Sequence, residues 1–278
     1  MHHKDMRFNK FLGQNFLKSK KIAREIIEAA DLSFDDIVLE VGPGTGFLTE
    51  ELVNFFSKVV GGDSLLGWQI IAVEKDKRLV GYLRKKFYGI DNLKIIEGDI
   101  LKFQIPNPKI QVLKNPKNLN YKIVANIPYY ITSHFLKRFL QTEYQPSRMV
   151  LMVQKEVAKR IVARDKKESL LSISVKVYGN PKIIRLVPKS YFFPQPKVDS
   201  AILLIDNISK DFFKKSGIEE KKFFELVKRG FSKKRKFLKN NLGLKDDTCF
   251  LKCGILKRAR PENLSPENWK CLYKNIYK

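Results

Sequence analysis

The sequence predicts an α/β fold: a mainly parallel seven-stranded sheet covered by helices, followed by a small all-helical C-terminal domain. Three observations carry this prediction. Apolar, strand-like runs alternate with helical patterns through the first two-thirds of the chain. A glycine-rich turn, Gly42-Pro43-Gly44-Thr45-Gly46, joins the first of these runs to a helix start. Near Asp206 the alternation gives way to short, lysine-rich helical segments.

Residues 37–41 form the first strand, a continuous apolar run broken only by Glu40. Runs at 70–73, 93–96, 123–125 and 149–153 repeat the pattern, each closed by a polar or Gly-, Asn- or Asp-bearing turn. Residues 181–187 and 200–205 read as a closing pair of strands. Residues 170–177 are ambiguous by period alone. Past 206 the expected helices are 218–230, 233–242 and one that starts at Ser265-Pro266-Glu267, a serine cap followed by proline in the first turn. A domain boundary is expected near 207, giving a catalytic domain of 1–207 and a basic helical domain of 208–278.

The 278 residues suffice for one large core and a smaller one, and a 44% hydrophobic content excludes wholesale disorder. No apolar run approaches a membrane span, and the N-terminus lacks the apolar stretch of a signal peptide. Cys249, Cys253 and Cys271 lack the second pair or histidine that a zinc site needs. They are expected as reduced core thiols, with no metal, in a cytoplasmic protein.

Lysine and arginine number 54 against 29 acids, a formal charge of +25. A polyanion, nucleic acid above all, is the natural partner of such a chain. Codon bias in an AT-rich genome also inflates lysine, so the position of the charge weighs more than its total. Lys228, Arg229, Lys233, Lys234, Arg235, Lys236 and Lys239 crowd into what reads as about three helical turns. A solvated helix face is the bland account; because like charges this dense repel, RNA binding is the more economical one.

The glycine turn points to a cofactor. Gly42, Gly44 and Gly46 let the backbone bend sharply and a ligand approach closely. The spacing is GxGxG, Phe47 stands where a dinucleotide site wants a small residue, and Pro43 lacks an N–H for a pyrophosphate. A nicotinamide dehydrogenase therefore fits poorly. S-adenosylmethionine, an adenosine joined to an amino acid without phosphates, fits better. Glu74, after the second strand, can accept both ribose hydroxyls; Asp99, after the third, can accept the adenine amino group, with Ile100 lining the ring. Singly each acid is an ordinary turn residue; in succession at strand ends they indicate a class I, Rossmann-like methyltransferase.

Asn126-Ile127-Pro128-Tyr129 follows the fourth strand. An adenine N6 amine is a poor nucleophile because its lone pair is delocalised into the ring. Two acceptors aimed at its N–H groups, the Asn126 side-chain oxygen and the Ile127 main-chain carbonyl, can hold it toward tetrahedral geometry. Pro128 stiffens the turn, and Tyr129 offers a ring for an extruded base to stack on. In Tyr191-Phe192-Phe193-Pro194-Gln195-Pro196-Lys197-Val198-Asp199-Ser200, Phe192 is a candidate for the other face of the base; spacing alone does not separate it from Phe193.

These motifs resemble the ribosomal RNA adenine dimethyltransferases, a family that includes the erythromycin-resistance methylases of large-subunit RNA, over nearly the whole chain. The resemblance makes Lys10-Phe11-Leu12-Gly13-Gln14-Asn15-Phe16-Leu17 the cofactor-closing segment, with Asn15, Leu17 and Gln14 at the methionine end. It assigns Gly42, Gly44, Glu74, Asp99 and Asn126 to the cofactor, Tyr129 and, through the FxPxPKV register, Phe192 to the base, and 170–177 to a helix. Gly13, Asp199, the stretch from Lys233 to Leu242 and Arg260-Pro261-Glu262-Asn263-Leu264-Ser265 resemble the small-subunit branch. The resemblance thus implies a product of N6,N6-dimethyladenosine at two adjacent positions near the 3′ end of small-subunit RNA. The expected partner is that RNA or a pre-30S particle, and a monomer is expected because nothing in the sequence demands a dimer. Stretches 55–69, including Gly61-Gly62-Asp63-Ser64 and Trp68, and 104–120, with Pro106, Pro108 and Pro116, look like insertions. The competing readings are a resistance-type methylase and a non-catalytic ribosome-assembly factor on the same fold.

Overall fold

A computed structural model describes residues 14–59, 67–103, 121–163, 165, 167–233 and 235–277. The Lys10–Gly13 part of the closing segment, Gly61 to Ser64, the three prolines between 104 and 120, and Lys234 lie outside the described residues.

The chain forms two compact units, one running up to Lys155 and resuming over Lys182–Asp206, the other made of Glu156–Pro181 and Asn207–Lys278. Residues 156–181 thus group with the C-terminal helices, although the sequence placed them in the 1–207 domain.

In the first unit, β1 (Phe16–Leu17) leads into α1 (Lys20–Ala30). Then come β2 (Ile37–Val41), α2 (Phe47–Val59), β3 (Gln69–Glu74), α3 (Lys77–Lys86), β4 (Leu93–Glu97), β5 (Tyr121–Asn126), α4 (Thr132–Gln141) and β6 (Arg148–Gln154). After α5 (Lys155–Val162) and α6 (Leu170–Lys176) the chain returns as β7 (Asn180–Val187), β8 (Phe192–Phe193) and β9 (Ser200–Asp206). The seven-stranded sheet has the order β4-β3-β2-β5-β6-β9-β7. Pairs β3·β4, β2·β3, β2·β5 and β5·β6 are parallel and β6·β9 is antiparallel. All seven expected strands are present, and residues 170–176 are helical, as the family resemblance implied and as their alternation did not.

The inner strands are buried on both faces: β3 is buried throughout, β6 at all but its two end positions and β9 at all but its last. Helix α1 buries Ile22, Ala23, Ile26, Ile27 and Ala30, one stripe at helical spacing, and is capped by Ser19, whose hydroxyl accepts from Ile22 N. On α2, Phe56 stacks on Trp68 with ring centroids 4.7 Å apart. Trp68, read from sequence as inserted loop, is therefore core.

The order of strand addition reverses between the parallel neighbours β2 and β5. From β2 the strands run outward through β3 and β4; the chain then crosses to β5 and runs the other way to β6. Such a switch point leaves a crevice beyond the carboxyl ends of the two central strands, because the following segments depart to opposite sides. Gly42 and Asn126 stand at those two ends.

The second unit holds α7 (Asp211–Lys214), α8 (Glu220–Gly230), α9 (Leu238–Leu242), α10 (Thr248–Lys252) and α11 (Pro266–Ile276). Its core gathers Phe213, Phe223, Phe224, Trp269 and Tyr273. The expected helix at 233–242 is present only in its second half: α8 stops at Gly230 and α9 begins at Leu238. Gly230 abuts the Trp269 indole, and the Asn241 amide donates to the carbonyls of Gly230 (2.6 Å) and Lys233 (3.1 Å). Those bonds satisfy the carbonyls without a continuous helix, so the like charges need not share one helical face. A second correction concerns the cysteines: Cys253 and Cys271, expected as thiols, form a disulfide between the end of α10 and α11, and Cys249 is free. Among the described residues no helix is long and apolar enough to cross a membrane.

Candidate active site

The crevice holds a cleft that opens to solvent. Its lining brings together Gln14, Asn15, Gly42, Gly44, Glu74, Asp99, Ile100 and Asn126, Ile127, Pro128 and Tyr129, residues singled out from five separate stretches of sequence.

The glycine turn is shaped by its own geometry. Gly42, Gly44 and Gly46 all have positive φ, which side chains resist. A Cβ on Gly42 would meet no atom within 4 Å, so its absence leaves open cleft; a Cβ on Gly44 would strike the Phe16 ring at 2.6 Å. Gly42 N donates to Val73 O at 2.9 Å and ties the turn to β3.

Glu74 ends β3 almost wholly buried. One carboxylate oxygen accepts from Gly44 N (3.0 Å), the other from Lys75 N and Asp76 N (2.8 Å each). Burial pushes its pKa up, and the three N–H groups hold it back. The oxygen that faces Gly44 accepts one bond of the two it has lone pairs for, which leaves room for a ribose hydroxyl. Asp99, after β4, accepts from Leu101 N at 3.0 Å and from the Lys75 ammonium at 2.9 Å; the ammonium holds its pKa below the usual carboxylate range. Asp76, which caps α3, receives Arg78 and, at 3.2 Å, the Gln14 amide.

Asn126 closes β5. Its Nδ2 donates to the Asn15 main-chain carbonyl at 2.9 Å. Ile127 is buried; the Tyr129 hydroxyl lies 2.6 Å from Ser200 Oγ, and burial pushes that phenol up.

Two expected residues lie elsewhere. Leu17 and Phe192 are buried in the core beneath the sheet and do not line the cleft. The reason is the ribbon β1·β8, in which Phe16 pairs with Phe193 and Leu17 with Phe192. Paired residues point to the same side. Leu17 and Phe192 take the core side, while Phe16, which lines the cleft, shares its side with the half-exposed Phe193.

Phe16, Lys75 and Tyr130 also line the cleft and were missed in the sequence. Their signal was adjacency to Asn15, Glu74 and Tyr129. In the C-terminal unit, Lys228, Lys233, Arg235 and Lys236 are exposed, whereas Arg229 donates to the Leu242 carbonyl and Lys239 pairs with Asp247 at 3.1 Å.

The model of the family described as ribosomal RNA adenine dimethylase matches residues 5–278. The chain belongs to that family. It is 43% identical, over 96% of its length and 88% of the relative's, to the Ribosomal RNA small subunit methyltransferase A of Dehalococcoides mccartyi. Among solved structures it resembles a dimethyladenosine transferase from Plasmodium falciparum (TM-score 0.74, 25% identity, 94% of this chain and 97% of that one). It equally resembles the 23S rRNA methyltransferase ErmE (TM-score 0.73, 25% identity, 95% and 100%). This ribosomal RNA adenine dimethylase is thus a class I methyltransferase that takes its methyl groups from S-adenosylmethionine.

The cleft fits that cofactor. The donor set has two acids at successive strand ends, an open floor at Gly42 and no clustered cations for a pyrophosphate among the lining residues. When bound, the cofactor supplies an electrophilic methyl group on a sulfonium.

Proposed function

We propose that the enzyme dimethylates N6 of two adjacent adenosines near the 3′ end of small-subunit ribosomal RNA. The observation that carries the chemistry is the fixed direction of Asn126. With Nδ2 committed to Asn15 O, its Oδ1 is the atom left to receive an adenine N–H. A second acceptor, the Ile127 carbonyl, follows in the chain, and together the two hold the amine with its lone pair aimed at the methyl group. Positioning and preorganised acceptors then supply the rate, with no strong base required. Glu74 holds the ribose, Asp99 and Ile100 the adenine of the cofactor, and Gln14 and Asn15 lie toward its methionine end. Tyr129 stacks on the extruded base, and Phe193 takes the role the sequence reading gave Phe192.

The choice of RNA rests on the near-full-length similarity to a small-subunit methyltransferase and on the branch features Asp199 and Arg260-Pro261-Glu262-Asn263-Leu264-Ser265. The C-terminal unit, with its exposed Lys228, Lys233, Arg235 and Lys236, binds RNA backbone, and a monomer working on a pre-30S particle in the cytoplasm is the matching setting. The test is transfer of labelled methyl groups from S-adenosylmethionine to unmethylated 30S and 50S subunits, with the product nucleoside identified by mass spectrometry. Dimethyladenosine in 30S alone is expected. Label in 50S moves the protein to the resistance branch, which two near-equal TM-scores do not disfavour; tight RNA binding with no transfer makes it an assembly factor.

A further inference from the structure

Each Asp99 carboxylate oxygen already accepts one hydrogen bond from within the chain. Leu101 N occupies Oδ1 from within the same turn, so that bond is fixed by the backbone. The Lys75 ammonium occupies Oδ2 at 2.9 Å, at the end of a flexible side chain that is 55% exposed. Lys75 itself lines the cleft. A ring amine that binds Asp99 from the cleft shares that oxygen with the ammonium or replaces it.

We propose that Lys75 is a gate: it holds Asp99 until the cofactor's adenine amino group displaces it, and the freed ammonium then receives a phosphate of the RNA strand entering the cleft. This rests on the assignment of the cleft to S-adenosylmethionine.

The second half follows from what surrounds the freed charge. The two carboxylates that flank Lys75 in the sequence already hold partners. Glu74 accepts three main-chain N–H groups, and Asp76 receives Arg78 and Gln14. The freed ammonium stands at the mouth beside Tyr130, an exposed ring that lines the same cleft. A cation next to an exposed aromatic suits a nucleotide adjoining the extruded adenosine, with phosphate on the ammonium and base against the ring. Cofactor and RNA then help each other by the same factor, because each releases the partner the other needs. An exposed ion pair contributes little, so the expected coupling is about two- to fivefold.

Lys75→Met and Lys75→Arg decide the matter in calorimetric titrations with S-adenosylhomocysteine, with and without a hairpin that carries the two adjacent adenosines. The Met variant is expected to bind the nucleoside about two- to fivefold tighter than wild type at low salt, the gain shrinking at high salt. The hairpin should tighten nucleoside binding in wild type and in the Arg variant but not in the Met variant, a difference that a purely structural lysine does not produce. Equal or weaker binding by the Met variant, or coupling that survives in it, overturns the gate while leaving the cofactor site in place. No binding of S-adenosylhomocysteine by wild type overturns the cofactor site and the gate together.

Discussion

The side-chain amide of Asn126 meets the main-chain carbonyl of Asn15 at 2.9 Å, so the N-terminal segment sets which way the asparagine at the end of β5 faces. Replacing Asn126 with alanine removes both the acceptor and its anchor. Single-turnover methyl transfer should fall about 100-fold or more, the usual loss for one preorganised polar group, with RNA affinity nearly unchanged. Asn126→Asp keeps an acceptor but sets an oxygen against the Asn15 carbonyl, and should retain partial activity. Wild-type rates in the alanine variant would sink the assignment.

Glu40, on β2 behind the glycine turn, is buried with neither oxygen in a hydrogen bond among the described residues. Burial pushes its pKa up to about 8; the neighbouring Thr49 opposes the rise and the charge of Glu74 adds to it. Unfolded, the same carboxyl titrates near the ordinary value of about 4.3. Between the two values the unfolded state has lost a proton that the native state keeps, so stability falls as pH rises, at up to about 1.4 kcal/mol per pH unit. Stability from this group is fully present below the lower value and stops falling above the upper one. Glu40→Gln should flatten the pH dependence of urea unfolding between about pH 5 and 8; curves that stay parallel to wild type would mean Glu40 does not titrate there.

Phe192 and Phe193 are neighbours with opposite fates. Phe192→Ala opens a core cavity and should lower stability by about 3–5 kcal/mol. Phe193→Ala removes a half-exposed ring, should leave the melting temperature within a few degrees and should weaken methyl transfer by about 10-fold as the stacking surface disappears. Thermal unfolding and transfer assays on the two variants separate the roles, and the reverse pattern would return the stacking role to Phe192.

Neutralising Lys233, Arg235 and Lys236 together should weaken RNA binding and lower the slope of log affinity against log salt by about 0.7–0.9 for each phosphate that goes unneutralised. Arg229 and Lys239 already serve internal partners, so their removal should cost stability more than affinity. An unchanged slope in the triple variant makes the segment merely solvated.

The sheet was legible because each strand is an apolar run closed by turn residues, a signal that needs no knowledge of neighbours. The cofactor acids were legible because they fall at successive strand ends. What was not legible depends on pairing across the chain. Leu17 and Phe192 went to the core because their ribbon has one buried side, which neither segment reveals alone. Lys75 reached Asp99 from the adjoining strand end. Cys253 and Cys271 met because α10 and α11 bring them within 5.7 Å at Cα. The stretch 233–242 has a helical period, yet it is helical only from Leu238, and the Asn241 amide takes up the Gly230 and Lys233 carbonyls.

The ribbon that joins Phe16 to Phe193 has a consequence for the newborn protein. Asn15 emerges from the ribosome well before β8, and the strand that pins its segment in place is made only after nearly the whole sheet. Until Phe192 and Phe193 emerge, Asn126 has no ordered carbonyl to face. A nascent chain is therefore silent as a methylase, and any truncation that ends before β8 should stay silent even where the parallel strands have already assembled.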